Sequence, residues 1–217
     1  MKAEEVLKIV DHTALEAVAT WEDIEKLCGE AIKYKTASVC IPPSYVKRVS
    51  DKYGENLVIC TVIGFPLGYA TKETKIFEAE DAVRNGASEV AMVINLGDVK
   101  NKEFDKVTQE IREIKAAVGT DHILKVIVET CYLTTEEKIR LCGCVTEAGA
   151  DYIKTSTGFG TKGAQISDIE LFKEHIGKNV KIKASGGIRT KEDLETFCRA
   201  GVDRIGASGA LKAEGCI

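Results

Sequence analysis

Residues 147–158 read EAGADYIKTSTG, and the order of residue types in this stretch decides the fold. Gly149 stands where an amphipathic segment ends, and glycine readily takes the left-handed conformation that closes a helix. The apolar run that follows, Tyr152 to Thr155, is short enough for a strand. Upstream, Thr134 to Ala148 has helical character and opens with Thr134 and Glu137 spaced as a reciprocal capping box. The same junction recurs at Asn85-Gly86-Ala87-Ser88-Glu89-Val90 and at Arg199-Ala200-Gly201-Val202-Asp203-Arg204. A helix closed by glycine and followed at once by a strand, three times over, marks a chain built from repeated units.

Working outward, eight apolar runs read as strands: Ile9 to His12, Ala37 to Ile41, Leu57 to Ile63, Glu89 to Ile94, Ile123 to Glu129, Tyr152 to Thr155, Val180 to Ala184 and Arg204 to Gly206. Helical stretches lie between them, among them Thr71–Arg84, Phe104–Val118, Thr134–Ala148 and Lys191–Ala200. In the last, Leu194, Phe197 and Cys198 share one face. Strands alternating with helices pair in parallel. Eight units in 217 residues average about 27 each, which fits an α/β fold of the (β/α)8 TIM-barrel class, with residues 1–217 as a single domain. The competing arrangement, an open doubly wound sheet, usually carries a glycine-rich nucleotide loop after its first strand. Asp11-His12-Thr13-Ala14-Leu15 contains no glycine.

The net charge of −4 gives no general attraction to nucleic acid or to an anionic membrane, so neither is expected as a partner. No apolar run reaches the ~18 residues of a membrane span, and the charged start, Met1 to Lys8, does not resemble a signal peptide. Eight scattered cysteines without a C-x-x-C pair, and three histidines far apart, give little support to a zinc site. Free thiols in a reducing cytoplasm are the expectation.

Lysines inside strands carry the chemistry. Lys125, Lys154 and Lys183 each lie within an apolar run, and burial of an ammonium group is costly unless it is paired or discharged. Lys154 and Lys183 sit near the C-terminal ends of their strands, where barrel active sites are built. Two neighbouring ammonium groups disfavour double protonation, so one pKa falls toward neutrality, by ~3 units. A neutral amine attacks a carbonyl to form a Schiff base. The other reading has these lysines snorkelling at the mouth or pairing with Glu129 and Asp11.

Small-residue loops follow the last two strands: Ser185-Gly186-Gly187-Ile188-Arg189-Thr190, and Gly206-Ala207-Ser208-Gly209. Backbone N–H groups in such loops approach an anion closely, and loops after strands 7 and 8 hold phosphate in many barrels. Arg189 adds a cation. Asp11, Cys40 and Asn95 end strands 1, 2 and 4. Each is open to a site role or a structural one: a turn or helix cap for Asp11, a core thiol for Cys40, a turn for Asn95.

These segments resemble the deoxyribose-phosphate aldolase family of class I aldolases. The matching stretches are Asp11-His12-Thr13, Ala37 to Pro42, Val62 to Gly68, Lys125 to Thr130, Ile153 to Phe159 and Lys183 to Thr190, in order along nearly the whole chain. The resemblance implies reversible cleavage of 2-deoxyribose 5-phosphate to glyceraldehyde 3-phosphate and acetaldehyde, a homodimer, and no metal or organic cofactor. It makes Lys154 the Schiff-base lysine and Lys183 its perturbing neighbour. Asp11, Cys40, Lys125, Thr157 and Gly158 become pocket residues, and Gly186, Gly187, Arg189, Gly206, Ser208 and Gly209 the phosphate side. One position departs: the family has a proton-relaying aspartate before Met-Val-Ile-Asn, and here Ala91 stands there. Glu89, two residues earlier, lies too far down the strand to replace it. Weaker turnover follows, and a catalytically silent sugar-phosphate binding protein is the alternative. The residues after Gly209 offer no counterpart to the terminal tyrosine of some members.

Overall fold

A computed structural model describes residues 1–217. In its first half the elements are α1 (Ala3–Leu7), β1 (Val10–Thr13), α2 (Trp21–Tyr34), β2 (Ser38–Ile41), α3 (Pro43–Tyr53), β3 (Ile59–Ile63), α4 (Lys72–Arg84), β4 (Glu89–Val93), α5 (Leu96–Lys100) and α6 (Phe104–Val118). The second half runs β5 (Ile123–Ile127), α7 (Thr135–Glu147), β6 (Tyr152–Lys154), α8 (Ile166–His175), β7 (Lys181–Ser185), α9 (Lys191–Arg199), β8 (Arg204–Ala207) and α10 (Ala210–Ala213). The strands close in sequence order into a parallel barrel, and β8 meets β1 through Val10↔Ile205 and Asp11↔Gly206. The expected TIM barrel is therefore the fold. No helix is long and apolar enough to cross a membrane.

The repeated junction works as its residue types require. Gly86, Gly149 and Gly201 have φ of 103°, 74° and 76°, so each ends its helix in a conformation costly for any side chain. Thr134 and Glu137 form the capping box at the start of α7. Strand ends differ by one or two residues from the sequence reading. The fifth strand stops at Ile127 because Glu129 takes a left-handed φ of 53°, which turns the chain out of the sheet. The first and seventh strands run one residue later than their apolar runs, and the third begins at Ile59.

Side chains alternate between two environments along each strand. The outward set packs against the helices in one continuous core that includes Val10, Val39, Val90, Val126, Ile153, Ile182 and Ile205. The inward set splits in two. Cys40, Cys60, Val62, Ala91, Val93 and Ile127 form a small apolar cluster inside the barrel, on the side of β2 to β5. The remainder is charged and is described below.

The β4 end of the barrel is fixed by a second buried charge. Lys75, on α4, is wholly buried, and its Nζ donates to the Val93 carbonyl (2.8 Å) and to Glu110 Oε1 on α6 (2.8 Å). The pair ties two helices to one strand end. Removing one member of a buried pair strands the other, at a cost of ~3–5 kcal/mol. Lys75→Met should lower unfolding free energy by about that amount in urea titration, whereas a loss below ~1 kcal/mol would show that Glu110 has another way to settle.

Candidate active site

Asp11 is the centre of the charged half of the barrel. Its carboxylate is fully buried on β1 and accepts from four groups on four other strands. Ser38 Oγ (2.7 Å) and Arg204 Nη1 (2.6 Å) reach Oδ1, while Lys125 Nζ (2.7 Å) and Lys183 Nζ reach Oδ2. Burial alone would raise this carboxyl. Lys125, Lys183 and Arg204 together outweigh burial and hold it well below the usual carboxylate range. Glu89 on β4 takes the remaining valences, pairing with Lys125 Nζ and with Arg204 Nη2 (3.3 Å). Burial opposes the charge on Lys125, and Asp11, Cys60 and Glu89 more than restore it. Asp11, Cys60 and Glu89 bring their ligand atoms within 4.8 Å of one another, as a metal site would. The Lys125 ammonium already sits among them, 3.7 Å from Cys60 Sγ.

Lys154 is the exception. It is 3% exposed, points inward from β6 beside Lys183 on β7, and enters none of the ion pairs. Burial first, and then the Lys183 ammonium, depress its amine to about 8, with Cys40 and Cys60 acting in the opposite sense. At pH 7 roughly one in ten such groups is neutral, against ~1 in 2,500 for an ordinary lysine. The order of causes corrects the sequence reading, which placed the neighbouring charge first. Desolvation leads, because Lys183 spends its charge largely on Asp11.

Above Lys154 opens a cavity of about 240 Å³. Its wall comprises Thr13, Leu15, Glu16, Lys154, Thr157, Gly158, Phe159, Ser185 to Arg189, and Gly206 to Ser208. Three larger cavities, of about 460, 480 and 380 Å³, contain no buried lysine or cysteine. The smaller one is the candidate site, because Lys154 lines it. The loops after β6 and β7 are sewn together beneath its floor: Ser185 Oγ donates to the Ser156 carbonyl (2.5 Å) and Ser185 N to Thr155 Oγ1 (3.1 Å). Glu129 fixes the β6 loop by accepting from Thr157 N (3.2 Å) and Thr157 Oγ1. Phe159 meets Phe65 edge to face at 5.4 Å at the rim.

Most of the residues singled out from sequence converge here. Lys154, Thr157, Gly158, Gly186, Gly187, Arg189, Gly206 and Ser208 line the cavity. Gly186 and Gly187 have φ of 83° and 76°, which turns their backbone in a way a side chain would resist. Gly206 also makes room, since a Cβ there would stand 3.1 Å from Lys183 Cε. Others are placed differently. Asp11, Lys125 and Lys183 lie beneath the cavity wall, consumed by one another. Asp11 is thus a charge hub, neither a helix cap nor a free pocket residue. Cys40 packs in the apolar cluster beside Ala91. Gly209 faces the outer cavity with His12, and Asn95 caps α5, its Oδ1 accepting from Gly97 N (2.9 Å). Sequence reading missed Arg204 as a hub partner, Glu89 as a second anion and Glu129 as a clamp. An arginine or glutamate inside an apolar run was the available signal.

The chain belongs to the DeoC/LacD family of aldolases, whose description as "DeoC/LacD family aldolase" matches residues 5–213. It is thus an aldolase, a carbon–carbon lyase, in a TIM barrel. Proteins named deoxyribose-phosphate aldolase are similar over nearly its whole length. One from Clostridium botulinum (strain Alaska E43 / Type E3) is 61% identical over 99% of this chain and 98% of its own. One from Clostridioides difficile (strain 630) is 59% identical over 95% of this chain and 94% of its own. The solved deoxyribose phosphate aldolase of Aeropyrum pernix, described as a unique tetramer, superposes with a TM-score of 0.91 at 33% identity, covering 99% of this chain and 91% of that one.

The geometry makes a pH dependence specific to one lysine. The reactive form of Lys154 is deprotonated, so its reaction with a small aldehyde rises with pH through about 8 and levels above it. Lys183→Met removes a cation that lowers that pKa and leaves Asp11 more negative; both effects raise the Lys154 value. The profile should move up by about one pH unit, slowing the reaction ~10-fold at pH 7. Borohydride capture at fixed times across pH measures it, and an unmoved midpoint would show that Lys183 does not tune the amine.

Proposed function

We propose that this chain is a class I aldolase that reversibly cleaves 2-deoxyribose 5-phosphate to glyceraldehyde 3-phosphate and acetaldehyde, through an imine on Lys154. The observation that supports it is a single unpaired, buried amine, lowered to about 8, on the wall of a cavity that Gly186, Gly187 and Ser208 also line. That backbone and the Arg189 side chain suit a phosphate, and Lys154 suits an aldehyde carbon. The relatives' names give the substrate.

In this reading the neutral Lys154 Nζ adds to the aldehyde carbon C1, and loss of water leaves a protonated imine. A base takes the proton of the C3 hydroxyl. The C2–C3 electron pair then flows toward the iminium nitrogen, releasing glyceraldehyde 3-phosphate and leaving an enamine. A proton returns to C2, and water hydrolyses the resulting imine to acetaldehyde and free Lys154. The iminium is the electron sink, so the scheme calls on no metal or organic cofactor. Ala91 cannot exchange a proton, and loss of a general acid or base typically costs ~10²–10⁴ in rate, so turnover below that of an aspartate-bearing relative is part of the proposal. The role fits deoxyribonucleoside catabolism in the cytoplasm by a single-domain homodimer. Light scattering on a gel-filtration column should return twice the 23.6 kDa chain mass.

Incubation with deoxyribose 5-phosphate, borohydride reduction and digestion should give a mass adduct on the peptide bearing Lys154, absent in Lys154→Met. Tight binding of the sugar phosphate with no adduct at any lysine would instead identify a catalytically silent binding protein.

A further inference from the structure

The interior lacks an anion. Counting the groups that face one another across the barrel, Asp11 and Glu89 supply two negative charges against the three positive charges of Lys125, Lys183 and Arg204. An iminium on Lys154 would add a fourth cation. A carboxylate at position 91 would answer that excess, and alanine does not. Asp11 and Glu89 have no oxygen left to act as a mobile base, since each already serves two or more cations, and Glu129 is committed to Thr157. Beside Ala91 stand Lys125, its register partner on β5, which is already spent on Asp11 and Glu89, and two sulfurs. Cys40 and Cys60 are direct cross-strand neighbours on β2 and β3 and share one buried cluster with Ala91. Cys40 lies one layer behind the cavity: it is in register with Thr13, and its cluster packs against Leu15, both of which line the cavity above Lys154.

We propose that Cys40, backed by the Cys60 thiol, is the proton-transfer group of this site and takes the part a carboxylate at position 91 would play. This rests on the imine reading above. The adjacent Cys60 thiol, with the Lys183 and Lys154 cations, pulls the Cys40 thiol down to about 6 against burial and Asp11. Cys60 is raised in turn, first by Cys40 beside it and then by burial, and stays protonated. The pair thus carries one proton, among Asp11, Lys125, Lys154 and Lys183, with Glu89 and Arg204 reached through Lys125 and Asp11. In cleavage the Cys40 thiolate takes the C3 hydroxyl proton as the C2–C3 bond breaks, and the thiol returns a proton to C2 of the enamine. No net proton is gained or lost, and no electron leaves the substrate.

Acetaldehyde alone isolates this step. In D2O the imine on Lys154 must lose and regain a methyl proton, and proton NMR reads the exchange while borohydride trapping reads the imine. Cys40→Ala and Cys40→Ser should both keep the Lys154 adduct and exchange about a hundredfold more slowly or worse. Ala91→Asp placed on Cys40→Ala should recover exchange. The proposal is overturned by Cys40→Ala exchanging at the parent's rate, by loss of adduct and exchange together in both variants, or by a parent that forms the adduct without exchanging. It is equally overturned by a double variant that forms the adduct but stays slow. A parent with no adduct at Lys154 contradicts the imine reading itself, before Cys40 is touched.

Discussion

One carboxylate makes the rest of this barrel feasible. Asp11 collects two lysines, an arginine and a serine from four different strands into a space closed to water. Each of those cations would otherwise carry an unpaid desolvation penalty of several kcal/mol. The network also closes the barrel mechanically, since Asp11 reaches from β1 to β2, β5, β7 and β8. Such a hub is costly to build and worse to break, which is why its members have so little freedom to do chemistry.

That constraint defines Lys154 by exclusion. Every other lysine inside the barrel has an anion for a partner. Lys154 has burial and like-charged company, and both push toward the neutral amine. The cavity above it is small, and Lys154 is the one lysine that lines it, together with Gly186, Gly187 and Ser208. Reactivity is produced here by withholding a partner. The same logic extends to position 91: alanine there supplies no counter-charge, and the uncommitted ionisable groups in its cluster are thiols.

Much of the architecture was legible in the sequence. Three helix–glycine–strand junctions announced the unit, and Gly86, Gly149 and Gly201 adopt the conformation their residue type allows. Lysine inside apolar runs pointed to the interior, and the glycine loops to the wall of the cavity. What stayed hidden depends on which strands face each other across the barrel. Asp11 and Lys183 are 172 residues apart, and no local pattern pairs them. Arg204 and Glu89 looked like strand starts, although they are the lower tier of the charge network. Glu129 looked like the end of a strand, whereas its left-handed backbone carries it out to clamp Thr157. Cys40 could not be told from a core thiol, because its neighbours Cys60 and Ala91 come from other strands.

The central claim is that one interior lysine, and only one, is held near neutrality in the resting protein. Carbon-13 NMR of protein labelled at the lysine Cε carbons tests this without any substrate. The account predicts a single resonance that titrates near pH 8 and disappears in Lys154→Met, with the Lys125 signal unmoved over the same range. A spectrum in which every lysine holds its proton to pH 10 would contradict it.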